Sequence, residues 1–430
     1  MNNVMLEAPV STFEDVNKLT LQDVFIKNRK LKLNERMNSL YEFVEQNKKV
    51  NHTQYFRQIL SPADTEVFVL DEYTNETRRL TMFGSNNYMG LANHPLVKQR
   101  VTEAIKKYGV GIAGPPHFNG YSKLHAQLEE RLSHLKGKES TLLFGSGYSA
   151  NIGVVNGLVN PKRDAVFYDE NCHASFYDSL RLARVNNKAF KHNNMAHLAD
   201  LFETEFTDAD TKFIGIEGIY SMEGDAAPLP EIIKIAKKHN ALTILDDAHG
   251  TLVMGKNGGG TTEHFGLEKE TDIVVGTFSK SFAITGGFIS ASKEIVNYIK
   301  YFSKIYMFST SLPFTSVAAV LAALEVMEKE PERLEQLHAN IKYLTQALRR
   351  YGLVTEPQGA VIALKVPEDS NMRKVSNMFH EMGLFVNSIE FPAVPKSNQR
   401  IRISVMATHT KPQMDRLIEA VGKIWAMYNC

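Results

Sequence analysis

From about Leu80 onward, short β-rich apolar runs alternate with helical patterns, and most of the runs end in small, polar or acidic residues. "STLLFGSGYSANIGVV" reads as strand, glycine turn and helix, and "DAVFYDENCHASFYDSLRLA" repeats that form. "TKFIGIEGIYS", "ALTILDDAHG" and "TDIVVGTFSKS" are three more buried-strand candidates. "PLPEIIKIAKKHNA" is a helix between two of them, with proline near its start. Strands alternating with helices predict an α/β fold, with a mostly parallel central sheet covered by helices on both faces. In such sheets the ligand lies at the carboxyl ends of the strands. The residues that close these runs are therefore the first candidates for chemistry.

The texture differs on either side. The opening fifty or so residues are charged and Asn-rich, with helical spacing in "LNERMNSLYEFVEQNKKV". After "FSTSLPF" come a long helical region, about Thr315 to Arg350, and the strand candidates "GAVIALKVP", "LFVNSIEFPAVP" and "RIRISVM". A helix near Arg373 to Met382 and a closing helix from Lys411 accompany them. We expect an N-terminal helical arm or small segment over 1–79, a large domain over 80–312 and a smaller C-terminal α+β domain over 313–430. A formal net charge of +1 gives no pointer to nucleic acid. Two cysteines, Cys172 and Cys430, cannot make a disulfide framework, which fits a reducing compartment. We see no signal peptide and no run long enough to span a bilayer, so a cytoplasmic location is expected.

Three residues at neighbouring strand ends have a use together. Asp246 and His249 close the run in "DDAHG", and Lys280 closes the run in "TFSKS". Alone, the acid and histidine could cap a helix, and the lysine could be a solvated turn residue. Together they suit pyridoxal 5'-phosphate. That cofactor needs a lysine for its aldehyde and a carboxylate for its pyridine nitrogen, so that the ring can accept electrons. Ser146, Gly147 and Tyr148 stand at a strand-to-helix turn, where backbone N–H groups and the helix dipole favour a phosphate. Thr277 and Ser279 could add hydroxyl contacts, and His173 in "NCHAS" could stack on the ring. No metal site is expected.

"GSNNYMGLANHP", "FGSGYSAN", "NCHAS", "SMEGD", "DDAHG" and "TFSKSFAITGG" together resemble the α-oxoamine synthase family, in its motif order, from about Leu80 to the C-terminus. These are pyridoxal-phosphate enzymes of fold type I. "SMEGDAAPLPEI", "GTFSKSFA" and "RISVMATHT" are most similar to the bacterial serine palmitoyltransferase branch. The resemblance implies that Lys280 is the Schiff-base lysine and Asp246 the acid at the pyridine nitrogen. It puts His249 near the ring hydroxyl and His173 on the ring face. Gly147, Tyr148 and Thr277 would form the phosphate seat, and Glu217 and Ser221 cofactor-side positions. Asn86 would face the substrate, and Arg402 would hold the amino-acid carboxylate, a task that suits a bidentate fork. Ser309 and Thr310 in "MFSTSLP" would reach the neighbouring subunit's phosphate, which implies a homodimer with shared active sites.

The implied reaction is a decarboxylative Claisen condensation of an α-amino acid with a long-chain acyl thioester, carried by coenzyme A or an acyl carrier protein. The product is an α-amino ketone of the sphingoid-base type. One departure matters. "GIAGPPHFNGYSKLH" has Pro115, Pro116 and His117 where relatives carry an arginine-containing turn. His117 is therefore a candidate substrate contact. Cysteate, giving a sulfonolipid precursor, stands beside serine as the amino acid. An aminooxononanoate synthase or aminoketobutyrate ligase is a further alternative. An aminotransferase on the same fold shares the lysine and acid but not the "DDAHG" and "NCHAS" combination.

Overall fold

The computed structural model describes residues 19–50, 55–71, 75–367 and 370–428. The start of the arm, residues 1–18, and Cys430 lie outside them. The central sheet has seven strands, in the order Ser140–Phe144, Gly287–Ala291, Ile273–Thr277, Leu242–Asp246, Thr211–Glu217, Asp164–Asp169 and Asn186–Phe190. The last five run parallel. Gly287–Ala291 runs antiparallel to both its neighbours, so the sheet is mixed at one end.

The apolar runs are continuous because the sheet is covered on both faces. Ile273–Thr277 and Asp164–Asp169 are buried at every position. Successive side chains alternate between the two sides. Val166, Phe213 and Ile244 pack with the helices Gly147–Leu158 and Ala174–Ala183. Phe167, Ile214 and Leu245 pack with the helix Leu229–Lys238. That helix begins just after Pro228, which has no N–H to lose there.

The C-terminal part holds a three-stranded antiparallel sheet, Val361–Lys365, Arg400–Ser404 and Asn387–Ile389, with the helices Met372–Glu381 and Lys411–Ala426. The long helical region is two helices, Phe314–Lys329 and Glu332–Leu348. They part at Pro331, which cannot donate the N–H that a continuous helix needs. In the arm, Leu21–Asn28 starts on a Thr20 capping box and Leu33–Lys49 follows. The arm is tied to the C-terminal part where Arg373 Nη1 donates to the Leu19 carbonyl at 3.1 Å and to Asn47 Oδ1 at 3.0 Å. Among the described residues, no helix is long and apolar enough to cross a membrane.

Candidate active site

The parallel strands end together, and their register sets two carboxyl groups side by side. Glu217 and Asp246 are direct partners on adjacent strands. Asp246 Oδ2 accepts from Asn151 Nδ2 at 2.6 Å, and its Oδ1 accepts from the Ala248 N–H at 3.1 Å. Asn151 comes from the helix Gly147–Leu158 and is braced by Ser175 Oγ at 2.9 Å. Glu217 is only 3% exposed. Its Oε2 accepts from the Ser221 N–H at 3.2 Å, and its Oε1 has no hydrogen-bond partner among the described residues. Burial first, then repulsion from Asp246, push Glu217 well above the usual carboxylate range.

A carboxyl that keeps its proton can be replaced by its neutral isostere. Glu217→Gln is expected to fold like the native chain. Because the folded group binds its proton more tightly than the unfolded one, native stability falls as pH rises above the unfolded value. The variant escapes that fall. Its melting temperature should match the native at acidic pH and exceed it at alkaline pH. Equal pH profiles would show that Glu217 is not held protonated.

Lys280 follows the strand Ile273–Thr277, in a loop closed by the Phe278 N–H on the Gly286 carbonyl and the Ala283 N–H on the Lys280 carbonyl. Burial pushes its amine down to about 8, with Arg402 adding to the fall, while Asp246 and Glu217 pull it up. Among the described residues its amine has no hydrogen-bond or salt-bridge partner. A part-buried amine with no fixed partner and a lowered pKa is suited to nucleophilic attack on an aldehyde.

His249 is buried, and its Nδ1 lies 2.7 Å from the Tyr88 hydroxyl. Burial, then the charges of Lys280, Arg402 and His173, hold it far below its ordinary value, so its imidazole is neutral. Tyr88 continues to Asn86 Oδ1 at 3.1 Å and to Arg402 Nη2 at 3.4 Å. The Arg402 guanidinium is 5% exposed. It donates from Nε to the Ser221 carbonyl at 2.7 Å, and from Nη1 to Asn86 Oδ1 at 3.1 Å and Ser404 Oγ at 3.2 Å. No carboxylate of the described residues pairs with it, whereas Arg400 on the same strand pairs with Glu223 at 3.1 Å. A buried cation without a counter-ion is costly, which points to an anionic ligand beside Arg402.

His173 is the N-cap of the helix Ala174–Ala183. Its Nδ1 accepts from the Ser175 N–H at 3.2 Å, so the neutral ring carries its proton on Nε2. The Tyr148 ring meets it edge-on at 6.2 Å, and the Tyr148 hydroxyl bonds Asp178.

The turn at Gly147 has the features of an anion seat. Ser146 caps the helix Gly147–Leu158, whose first N–H groups, on Gly147 and Tyr148, have no acceptor within the helix. A Cβ on Gly147 would stand 2.8 Å from Thr277 Cβ, so the turn and the Thr277 hydroxyl share one rim. Thr277 Oγ1 lies 2.9 Å from Ser279 Oγ, and Ser279 is exposed beside it.

Ser309, Thr310 and His117 gather elsewhere. The Ser311 N–H donates to the Gly114 carbonyl at 3.0 Å, which ties the two segments together. Pro116, Ser309 and Thr310 line one small cavity. His117 packs against Tyr301 at 5.6 Å and Tyr306 at 5.7 Å. Among the described residues, none of these three makes a hydrogen bond, ion pair or ring contact to Lys280 or Arg402 of the same chain. Sequence reasoning missed Tyr88, which stands two residues after Asn86, and Asn151, one turn into the helix of the phosphate turn.

Residues 78–421 match the family described as aminotransferase class I and II. The chain belongs to that family. Within it, the chain stands with the α-oxoamine synthases. It is 38% identical to the serine palmitoyltransferase of Sphingobacterium spiritivorum over 395 residues, 92% of this chain and 97% of that protein. It is 36% identical to the 8-amino-7-oxononanoate synthase of Thermoanaerobacter pseudethanolicus over 346 residues, 80% of this chain and 87% of that protein. A serine palmitoyltransferase variant from S. paucimobilis, solved with a bound PLP–myriocin aldimine, superposes with a TM-score of 0.86 at 28% identity. That match covers 93% of this chain and 99% of the other.

Proposed function

We propose that this α-oxoamine synthase condenses serine with a long-chain acyl thioester, with loss of carbon dioxide, to give an α-amino ketone of the sphingoid-base type. The observation that carries this reading is the buried Arg402 fork, without a counter-ion among the described residues, near enough to Lys280 for its charge to help lower that amine's pKa. The kinship with serine palmitoyltransferase supports the choice of serine and of a long acyl chain. Lys280 would hold the aldehyde of pyridoxal 5'-phosphate, Asp246 its ring nitrogen and His249 its ring hydroxyl. His173 would cover the ring, and Gly147, Tyr148 and Thr277 would seat the phosphate. When bound, the cofactor supplies an electron sink for negative charge at the amino acid's Cα.

The chain's own groups do the rest. Arg402 binds the amino-acid carboxylate and orients Cα, with Asn86 and Tyr88 fixing its fork. Lys280, once its amine is free, removes the Cα proton and later returns one. His173 holds an Nε2 proton that can be donated to the oxyanion formed when the thioester carbonyl is attacked. The acyl carrier is coenzyme A or an acyl carrier protein.

Ser309 and Thr310 complete the phosphate seat of a second copy in this reading, so the protein works as a homodimer. Phe308 beside them is 75% exposed and Phe118 81% exposed, apolar surface that association would cover. A cytoplasmic location follows from the same reading. Cysteate remains a second substrate reading for one reason. His117 Nε2 is buried without a hydrogen-bond partner among the described residues, and in a dimer the loop that carries it would lie with Ser309 and Thr310 near the partner's site.

The test is product formation from serine, cysteate, alanine and glycine with palmitoyl thioester, in the native protein and in His117→Ala. Serine should give the highest kcat/KM in both. A native preference for cysteate that collapses in His117→Ala would replace serine as the substrate. Activity with none of the four would remove the proposed reaction.

A further inference from the structure

Asp246 and Asp247 are neighbours, so their side chains leave the strand end on opposite sides. Asp246 faces the site. Asp247 enters a closed cage behind it. There its Oδ2 lies 2.7 Å from Lys136 Nζ, and both side chains are 0% exposed. Lys136 also donates to Thr251 Oγ1 at 2.7 Å and to the Gly259 carbonyl at 2.8 Å, which uses all three ammonium protons. Asp247 Oδ1 accepts from Thr261 Oγ1 at 2.6 Å and from the Thr261 N–H at 3.2 Å. Glycines clear the space. A Cβ would fall 1.8 Å from Asp247 Oδ2 at Gly260, and 2.0 Å from Oδ1 at Gly250.

The cage touches both halves of the site from behind. The Asp247 carbonyl accepts from the Gly250 and Thr251 N–H groups, which closes the turn that carries Asp246 and His249. The Asp247 N–H donates to the Val275 carbonyl at 2.8 Å, on the strand that leads to Lys280. The Thr251 carbonyl accepts from Ser281 Oγ at 2.9 Å, on the residue after Lys280. Lys136 itself ends the helix Lys123–Lys136 and reaches in from a separate element.

We propose that Lys136, acting through Asp247, is a positioning residue that fixes the Asp246–His249 turn relative to the Lys280 loop. The inference rests on the reading of that site as a pyridoxal-phosphate centre. A merely structural pair would support the fold and leave the cofactor's binding and electronics alone. A positioning pair sets how well Asp246 meets the ring nitrogen, and hence the affinity and the pH response of the bound chromophore.

Two variants separate these roles. Lys136→Met/Asp247→Leu exchanges the pair for apolar side chains, a swap that buried ion pairs can tolerate. Ser281→Ala cuts only the link from the cage to the Lys280 loop and leaves the buried charges in place. Pyridoxal phosphate is titrated into each purified apo-protein. The dissociation constant and the pH midpoint of the bound visible band are read, with melting temperature as the control for folding. We expect the folded variants to bind pyridoxal phosphate about 3- to 30-fold more weakly than the native protein, with a shifted midpoint. If the double variant does not fold, Ser281→Ala decides. Native affinity and a native midpoint in a folded variant would overturn the inference. A native protein that takes up no pyridoxal phosphate would instead overturn the reading of the site.

Discussion

Lys280→Ala should lose covalent attachment of pyridoxal phosphate and cut turnover about ten-thousandfold or more, while the chain folds as before. Its side chain makes no hydrogen bond or salt bridge among the described residues, and the Ala283 N–H bond to its carbonyl survives the substitution. Its environment costs the charged amine free energy, since burial holds it at about 8 in the folded chain. An amine whose folded pKa is lowered destabilises the fold fully below that value, and the penalty fades as pH rises toward the unfolded pKa. Apo Lys280→Ala should therefore melt at or above the native temperature at neutral pH, with the difference narrowing above about pH 8. Attachment of the aldehyde to the native apo-protein should speed up as pH rises to about 8 and then level off. Calorimetry and the visible absorbance read these effects separately. Retained activity in Lys280→Ala without added amine would remove Lys280 from its role.

Asp246→Asn should leave cofactor uptake largely in place and slow exchange of the serine Cα proton by about a hundredfold or more. The size is kept, and the new amide oxygen can accept from Asn151 Nδ2 or from the Ala248 N–H, though no longer from both. What disappears is the negative charge that favours a protonated ring nitrogen. A second consequence follows at Glu217. Repulsion from Asp246 is one of the two causes that hold its carboxyl high. Without it, Glu217 loses its proton more readily and turns toward the acceptor role. A double variant with Glu217→Gln should therefore be slower than Asp246→Asn alone. Proton NMR of serine in deuterium oxide measures each rate. Native exchange in Asp246→Asn would show that the charge is not needed.

Much of the site could be read in the sequence because its chemistry sits where buried strands end. Asp246 and Lys280 each follow a run of apolar residues, and a charged group there has few structural uses. The glycine turn at Gly147 was visible for the same reason. The antiparallel course of Gly287–Ala291 was not, since an apolar run of five residues reads alike in either direction. The role of Tyr88 was hidden too. A tyrosine amid apolar residues looks like core, and its partners His249 and Arg402 arrive from far along the chain. His117 depends on two later helices in the same way, through Tyr301 and Tyr306. The ion pair of Lys136 and Asp247 joins a helix end to a strand end, and neither residue announces the other. In sequence Asp247 is simply the second of two adjacent acids, and only the fold turns it to the opposite face.

The most direct test of the account follows the carboxyl carbon. Serine labelled there is incubated with the protein, pyridoxal phosphate and palmitoyl thioester, and labelled carbon dioxide is counted against the long-chain amino ketone formed. The account predicts one carbon dioxide for each product molecule, with release that depends on the thioester and is lost in Arg402→Ala. Release at the same rate without thioester, or transfer of the amino group to an oxo acid with the label retained, would contradict it.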